Sequence, residues 1–118
     1  MYIVENYTTG AGRDLVSEYI EDVSNKYGTR DITLIHMGID SLRKYGLNAN
    51  KYKKGIIKRL DKDLWELRPG SNRIFFLCYF DNKFVLLHGF RKQSQKTPTN
   101  EIETAKRQMK DYIRRCKL

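Results

Sequence analysis

The chain has 118 residues, a length that suits one domain around one hydrophobic core. Hydrophobic residues make up 40% of it, which argues against disorder, and no apolar run approaches the roughly 20 residues that span a bilayer. The net charge of +9 is unevenly placed: residues 1–50 carry 5 Lys/Arg against 7 Asp/Glu, whereas residues 51–118 carry 18 against 7. A one-sided basic field is the usual footprint of a polyanion binder, although a merely solvated basic surface has the same composition.

The predicted elements run as follows. YIVENY (2–7) reads as a short opening strand, and this N-terminus lacks the basic region and apolar stretch of a signal peptide, so a cytoplasmic protein is expected. After Gly10 and Gly12, Leu15, Val16, Tyr19, Ile20 and Val23 recur at helical spacing, with Asp14 near the positive end of the helix dipole and Gly28 suited to close the helix. Asp31 suits an N-cap for a second helix with Leu34, Ile35, Ile39 and Leu42 on its buried stripe and Gly46 at its end. LNANKYKKG (47–55) reads as a polar, basic loop.

From residue 56 the period changes to two. IIKRL (56–60), LWELR (64–68), RIFFLCYF (73–80) and KFVLLHGF (83–90) are strand-like. RIFFLCYF is apolar on both faces and is expected at the centre of the sheet. Pro69-Gly70 and Asp81-Asn82 suit turns. RKQSQKTPT (91–99) reads as a basic loop. A last helix spans about 100–116, with an Asn100/Glu103 capping box, an apolar stripe of Ile102, Ala105, Met109, Tyr112, Ile113 and Cys116, and Arg114, Arg115 and Lys117 at the negative end of its dipole. Cys78 and Cys116 read as small core hydrophobes. The expected fold class is α+β: an antiparallel sheet, made of a short N-terminal strand plus a four-strand meander, with two N-terminal helices and one C-terminal helix in a single domain, residues 1–118.

Hairpin register brings candidate residues together. A two-residue turn at Asp81-Asn82 pairs 80 with 83, which sets Arg73 opposite Phe90 and Phe75 opposite His88; a four-residue turn at 69–72 sets Arg68 opposite Arg73. Arg68, Arg73 and Phe90 then form a row on one face, with Glu66, Phe75 and His88 in the next row. Two adjacent arginines suit a bidentate phosphate contact, Phe90 can stack on a base, and Arg91, Lys92 and Lys96 follow in the loop. Each residue also has a structural alternative: Arg68 and Arg73 in a solvated turn, Phe90 in the core, His88 as a core histidine, Lys92 and Lys96 as solvated loop charges, and Glu66 as an ion-pair partner of the arginines. No His/Cys/Asp/Glu set has zinc spacing, and no glycine-rich phosphate loop or Ser-His-Asp set occurs, so no metal or cofactor is expected.

LWELRPGSNRIFFLCYF followed by KFVLLHGFRKQSQKTP resembles the HigB-like branch of the RelE/ParE toxin superfamily, often of phage-derived type, and the opening strand with GRDLVSEYIEDV is similar to the family's start. The resemblance covers nearly the whole chain. It implies a type II toxin that cleaves mRNA on the ribosome, contacts ribosomal RNA and is inhibited by a helix-turn-helix antitoxin of the HigA type. The family's hairpin arginines match Arg68 and Arg73, and its basic residues after the last strand match Lys92 and Lys96. Some RelE-type toxins also use a tyrosine near the C-terminal end; no position here aligns with it, although Tyr112 is available. The expected chemistry is attack by the RNA's own 2′-hydroxyl on the adjacent phosphate, with Arg68 and Arg73 on the phosphate and Lys58, Lys92, Lys96 or His88 as general acid or base. Arg59, Arg91, Lys53 and Lys54 are expected to hold RNA phosphates. The alternatives are a ParE-like gyrase inhibitor without enzymatic activity and a non-catalytic RNA-binding module.

Overall fold

A computed structural model describes residues 1–80 and 82–116. The predicted turn at Asp81-Asn82 and the charge at Lys117 therefore lie wholly or partly outside the described residues. The elements are β1 (Ile3–Asn6), α1 (Leu15–Tyr27), α2 (Thr29–Tyr45), a 3-10 turn (Gly46–Asn48), α3 (Ala49–Tyr52), β2 (Ile57–Arg59), β3 (Leu64–Leu67), β4 (Asn72–Tyr79), β5 (Lys83–Arg91) and α4 (Thr99–Cys116).

The expected α+β architecture is present. The five strands form one sheet in the order β1-β5-β4-β3-β2. β2 to β5 are an antiparallel meander, because short turns join them. β1 instead pairs with β5 in parallel, a direction that no hairpin constrains. β4 is the central strand, and Ile74, Phe75, Phe76 and Leu77 are all buried, as its two-sided apolar sequence requires.

Period-two alternation divides the core between the two faces. Leu67, Ile74, Phe76, Phe84 and Leu86 meet Val16 and Val23 of α1 and Ile35, Ile39 and Leu42 of α2. Leu64, Phe75, Leu77, Val85 and Leu87 form the second layer with Tyr7 and Ala105 of α4. Each such side chain contributes on the order of 1.5–3 kcal/mol by leaving water.

Several local expectations are corrected. Asp14 is the N-cap of α1 and accepts a hydrogen bond from the Ser17 amide, 3.0 Å away. Asp31 does not cap α2; Gly28 does, and Asp31 sits in the first turn. The segment read as a loop contains α3, since Ala49 is buried and the Asn50 side chain bonds both backbone groups of Ile57. Asn100 lies inside α4 and forms no cap, because the helix starts directly after Pro98, whose carbonyl accepts from Glu101 and Ile102. The α4 stripe buries Gln108, while Cys116 is exposed and Cys78 only partly buried.

Candidate functional site

The register of β3, β4 and β5 builds the site. Glu66 pairs with Phe75 and Leu67 with Ile74, so the 69–72 turn aligns Arg68 with Arg73 as expected. Arg73 pairs with Phe90 and Phe75 with His88, also as expected, but for another reason. Next to the turn Tyr79 pairs with Lys83, one residue away from the expected match, and Phe80 leaves the strand with a left-handed φ of 61°. The register then shifts between Phe75 and Phe76: Leu86 opposes Phe76, His88 opposes Phe75, and Leu87 is the extra residue of a β-bulge. Without that bulge Gly89 would oppose Arg73, and His88 and Phe90 would face α1.

Within the row a buried carboxylate occupies the space between the guanidiniums. Glu66 is 1% exposed, with Oε1 3.4 Å from Arg68 Nε and 3.6 Å from Arg73 Nε. Thr97 Oγ1 donates to Glu66 Oε2 at 2.9 Å. Glu66 is therefore an ion-pair partner, and the pair of arginines presents about one net positive charge rather than two. Arg73 is nearly buried, and its Nη1 donates to the carbonyls of Gly70 and Asn72, both at 2.9 Å. Burial first, and the neighbouring charge of Arg68 second, lower its pKa, against the opposing pull of Glu66. Arg68 is the more exposed of the two, its side chain 30% exposed against 7% for Arg73.

The loop 92–98 closes over this row. It is pinned at its start by the Lys92 amide on the Ser71 carbonyl, 2.8 Å, and at its end by Thr97 on Glu66. Arg73, Phe90, Lys92, Lys96, Thr97 and Pro98 line a shallow, nearly closed cleft, with Gln93, Ser94 and Gln95 completing the loop wall; Arg68 is not among its lining residues. Phe90 packs against Phe75 at a ring separation of 5.3 Å and remains partly exposed.

The remaining candidates divide. Lys58 is exposed and pairs with Glu66 across β2 and β3, so it lies on the same face. His88 is buried beneath the row, with Nδ1 2.8 Å from Gln108 Oε1 and Nε2 3.3 Å from Glu101 Oε1; both ring nitrogens face α4. Arg59 is on the opposite face and donates to the carbonyls of Asp61 and Lys62. Arg91 is also turned away: it donates to Asp31 Oδ1 at 2.8 Å and lies over the Tyr27 ring at 3.9 Å. Lys53 lines a different groove beside α2, and Lys54 is an exposed neighbour in the same segment. Tyr112 is bonded to Glu5 and packs on Tyr79, at the β1 end of α4 rather than at the cleft.

Sequence reading missed Thr97, Gln108 and Glu101. Gln108 had a signal, since a polar residue at 108 falls within the stripe of Ala105, Met109 and Tyr112. Thr97 had none, because its role depends on where the loop lands.

Fold and site together define a small RelE-like α+β protein, with a basic, aromatic-floored cleft at one end of an open sheet. The family model for Phage derived protein Gp49-like (DUF891) matches residues 33–110, about two thirds of the chain. The chain belongs to this family of RelE/toxin-like proteins, although the match does not single out the HigB branch. Among curated proteins none matches the chain. No helix among the described residues is long and apolar enough to cross a membrane.

Proposed function

We propose that this protein is the toxin of a type II toxin-antitoxin pair and acts as a metal-independent endoribonuclease on mRNA held by the ribosome. The observation that carries the reading is the cleft itself, where Lys92, Lys96 and Arg73 surround the partly exposed ring of Phe90. A ring flanked by cations suits a single-stranded nucleotide, whose base stacks while its phosphate meets the charges. Membership of a RelE/toxin-like family supports the same reading and implies an antitoxin partner; in our proposal that partner is a helix-turn-helix protein of the HigA type.

In the proposed reaction the 2′-oxygen of the RNA forms a bond to the adjacent phosphorus and the bond to the 5′-oxygen breaks. The products are a 2′,3′-cyclic phosphate and a 5′-hydroxyl. One lysine accepts the 2′-hydroxyl proton and a second group returns a proton to the leaving oxygen; Lys92 and Lys96 line the cleft and take these roles before the buried His88. Arg68 neutralises the charge that builds on the phosphate, and Arg73 acts as a positioning residue, since its Nη1 is committed to backbone carbonyls.

The test is a translation extract in which mRNA 5′ ends are mapped. Wild-type protein is expected to cut translated messages, and Lys92→Ala/Lys96→Ala to lower cleavage by about 10²-fold or more. Binding of a single-stranded oligonucleotide should fall with salt by about 0.7 log units per log unit of salt for each phosphate held, and each lost lysine should remove about one such increment. Uncut transcripts with damaged DNA would establish the gyrase-inhibitor alternative instead, and binding without any cleavage would establish the RNA-binding module.

A further inference from the structure

Helix α2 has two apolar sides: one enters the core, and on the other Gly38 and Ser41 are buried while Met37 stays exposed. Ile35, Ile39 and Leu42 enter the core. A second stripe, Leu34, Met37, Gly38 and Ser41, lines an open groove whose far wall is Tyr52, Lys53 and Ile56. A second hollow continues it along α2 to Lys44 and Tyr45, sharing Met37, Ser41 and Tyr52. Met37 is 49% exposed and Tyr52 52%, and exposed Tyr45 lines the second hollow and stacks on Tyr52. Three of the eight large exposed hydrophobic residues described for this protein are thus gathered at one place. A contiguous patch of this kind on a small protein marks an interaction surface.

The rim chemistry selects the occupant. Lys44 and Lys53 line the two hollows, and Lys51 and Lys54 flank Tyr52 and Lys53 in the exposed segment. The single acid in the groove, Asp40, is paired with Arg43 at 2.8 Å. A second copy presenting the same face would oppose lysine to lysine. An RNA strand would satisfy the lysines but has no aliphatic surface for Leu34 and Met37. The stripe from Leu34 to Tyr45 extends about 16 Å at 1.5 Å per residue, the length of about three helical turns. We infer that this groove receives an amphipathic helix of a partner protein, with aliphatic residues on one face and Asp/Glu on its flanks. The site is separate from the cleft, so the inference does not depend on whether the protein cuts RNA. It also reassigns Lys53 and Lys54 from RNA contact to partner contact.

The probe is a capped 16-residue helical peptide with Leu at i, i+3, i+4 and i+7 spacing and Glu on its flanks, compared with a twin carrying Lys in place of Glu. Fluorescence anisotropy with the full chain should show micromolar binding of the Glu peptide and at least tenfold weaker binding of the twin. Met37→Ala/Tyr52→Ala and, separately, Lys53→Glu should each weaken the Glu peptide about tenfold or more; Arg68→Ala should leave peptide binding intact. Equal binding of the two peptides, no binding of either, insensitivity to both groove variants, or displacement of the peptide by a single-stranded oligonucleotide would overturn the inference.

Discussion

Glu66 decides what the two arginines can do. A carboxylate 1% exposed between two guanidiniums is stable only because Arg68, Arg73 and Thr97 together replace its water. Removing its charge leaves Arg73 nearly buried beside another cation. Glu66→Gln is therefore expected to destabilise the fold by about 3 kcal/mol, roughly a 10 °C fall in melting temperature for a chain of this size. Thr97→Val, which removes one hydrogen bond, should cost about 1 kcal/mol. Thermal denaturation of both variants measures the contrast, and an unchanged melting temperature for Glu66→Gln would show that the carboxylate is not the counterion. The row of arginines and phenylalanine was legible from hairpin pairing, and Glu66 read as a partner of the arginines rather than a base, but its depth was not legible. Its position opposite Phe75 was readable, whereas its burial depends on the loop that Thr97 ties down.

At the scale of elements, the contact between α1 and β5 rests on an absent side chain. A Cβ placed on Gly89 would lie 2.5 Å from Cδ2 and 2.9 Å from Cγ of Tyr19, and these ring atoms cannot swing aside as a chain end could. Tyr19 also donates from its hydroxyl to Asn72 Oδ1 at 2.7 Å, and burial pushes its pKa up to about 12. Gly89→Ala should cost about 2 kcal/mol through overpacking. In the Tyr19→Ala background the same change should cost markedly less, a coupling of about 1 kcal/mol or more in a double-mutant cycle followed by urea denaturation. Additive effects would show that the ring is free to move. The same stretch carries the bulge at Leu87, which returns His88 and Phe90 to the cleft face. The predicted pairing of Arg73 with Phe90 is correct because a shift at the turn and a bulge in the strand offset one another; neither leaves a mark in the alternation of KFVLLHGF.

Across the whole molecule, Asp31 joins α2 to the far end of β4 and β5. The hydrogen bond from Asn72 Nδ2, first, and the contact with Arg91 hold its carboxyl below its ordinary value of 3.8. A lowered carboxyl contributes stability that is fully present above the unfolded value and lost as pH falls through the lower folded one. Wild-type protein should therefore lose more stability than Asp31→Asn when denaturation is moved from neutral pH to below 3.8, so the difference between them narrows in acid. A constant difference at both pH values would remove Asp31 from the acid response.

Periodicity and composition by themselves determined the α+β class, the four-strand meander, the central place of RIFFLCYF and the concentration of cations in the second half, because these follow from local spacing and from which faces must leave water. Only the tertiary structure decided that β1 runs parallel to β5, that Arg59 and Arg91 face away from the cleft, that Glu66 is buried, and that Met37 and Tyr52 are left exposed beside α2. Each of these depends on segments distant in the chain meeting in space, and a pattern read over a few neighbouring residues carries no record of such a meeting.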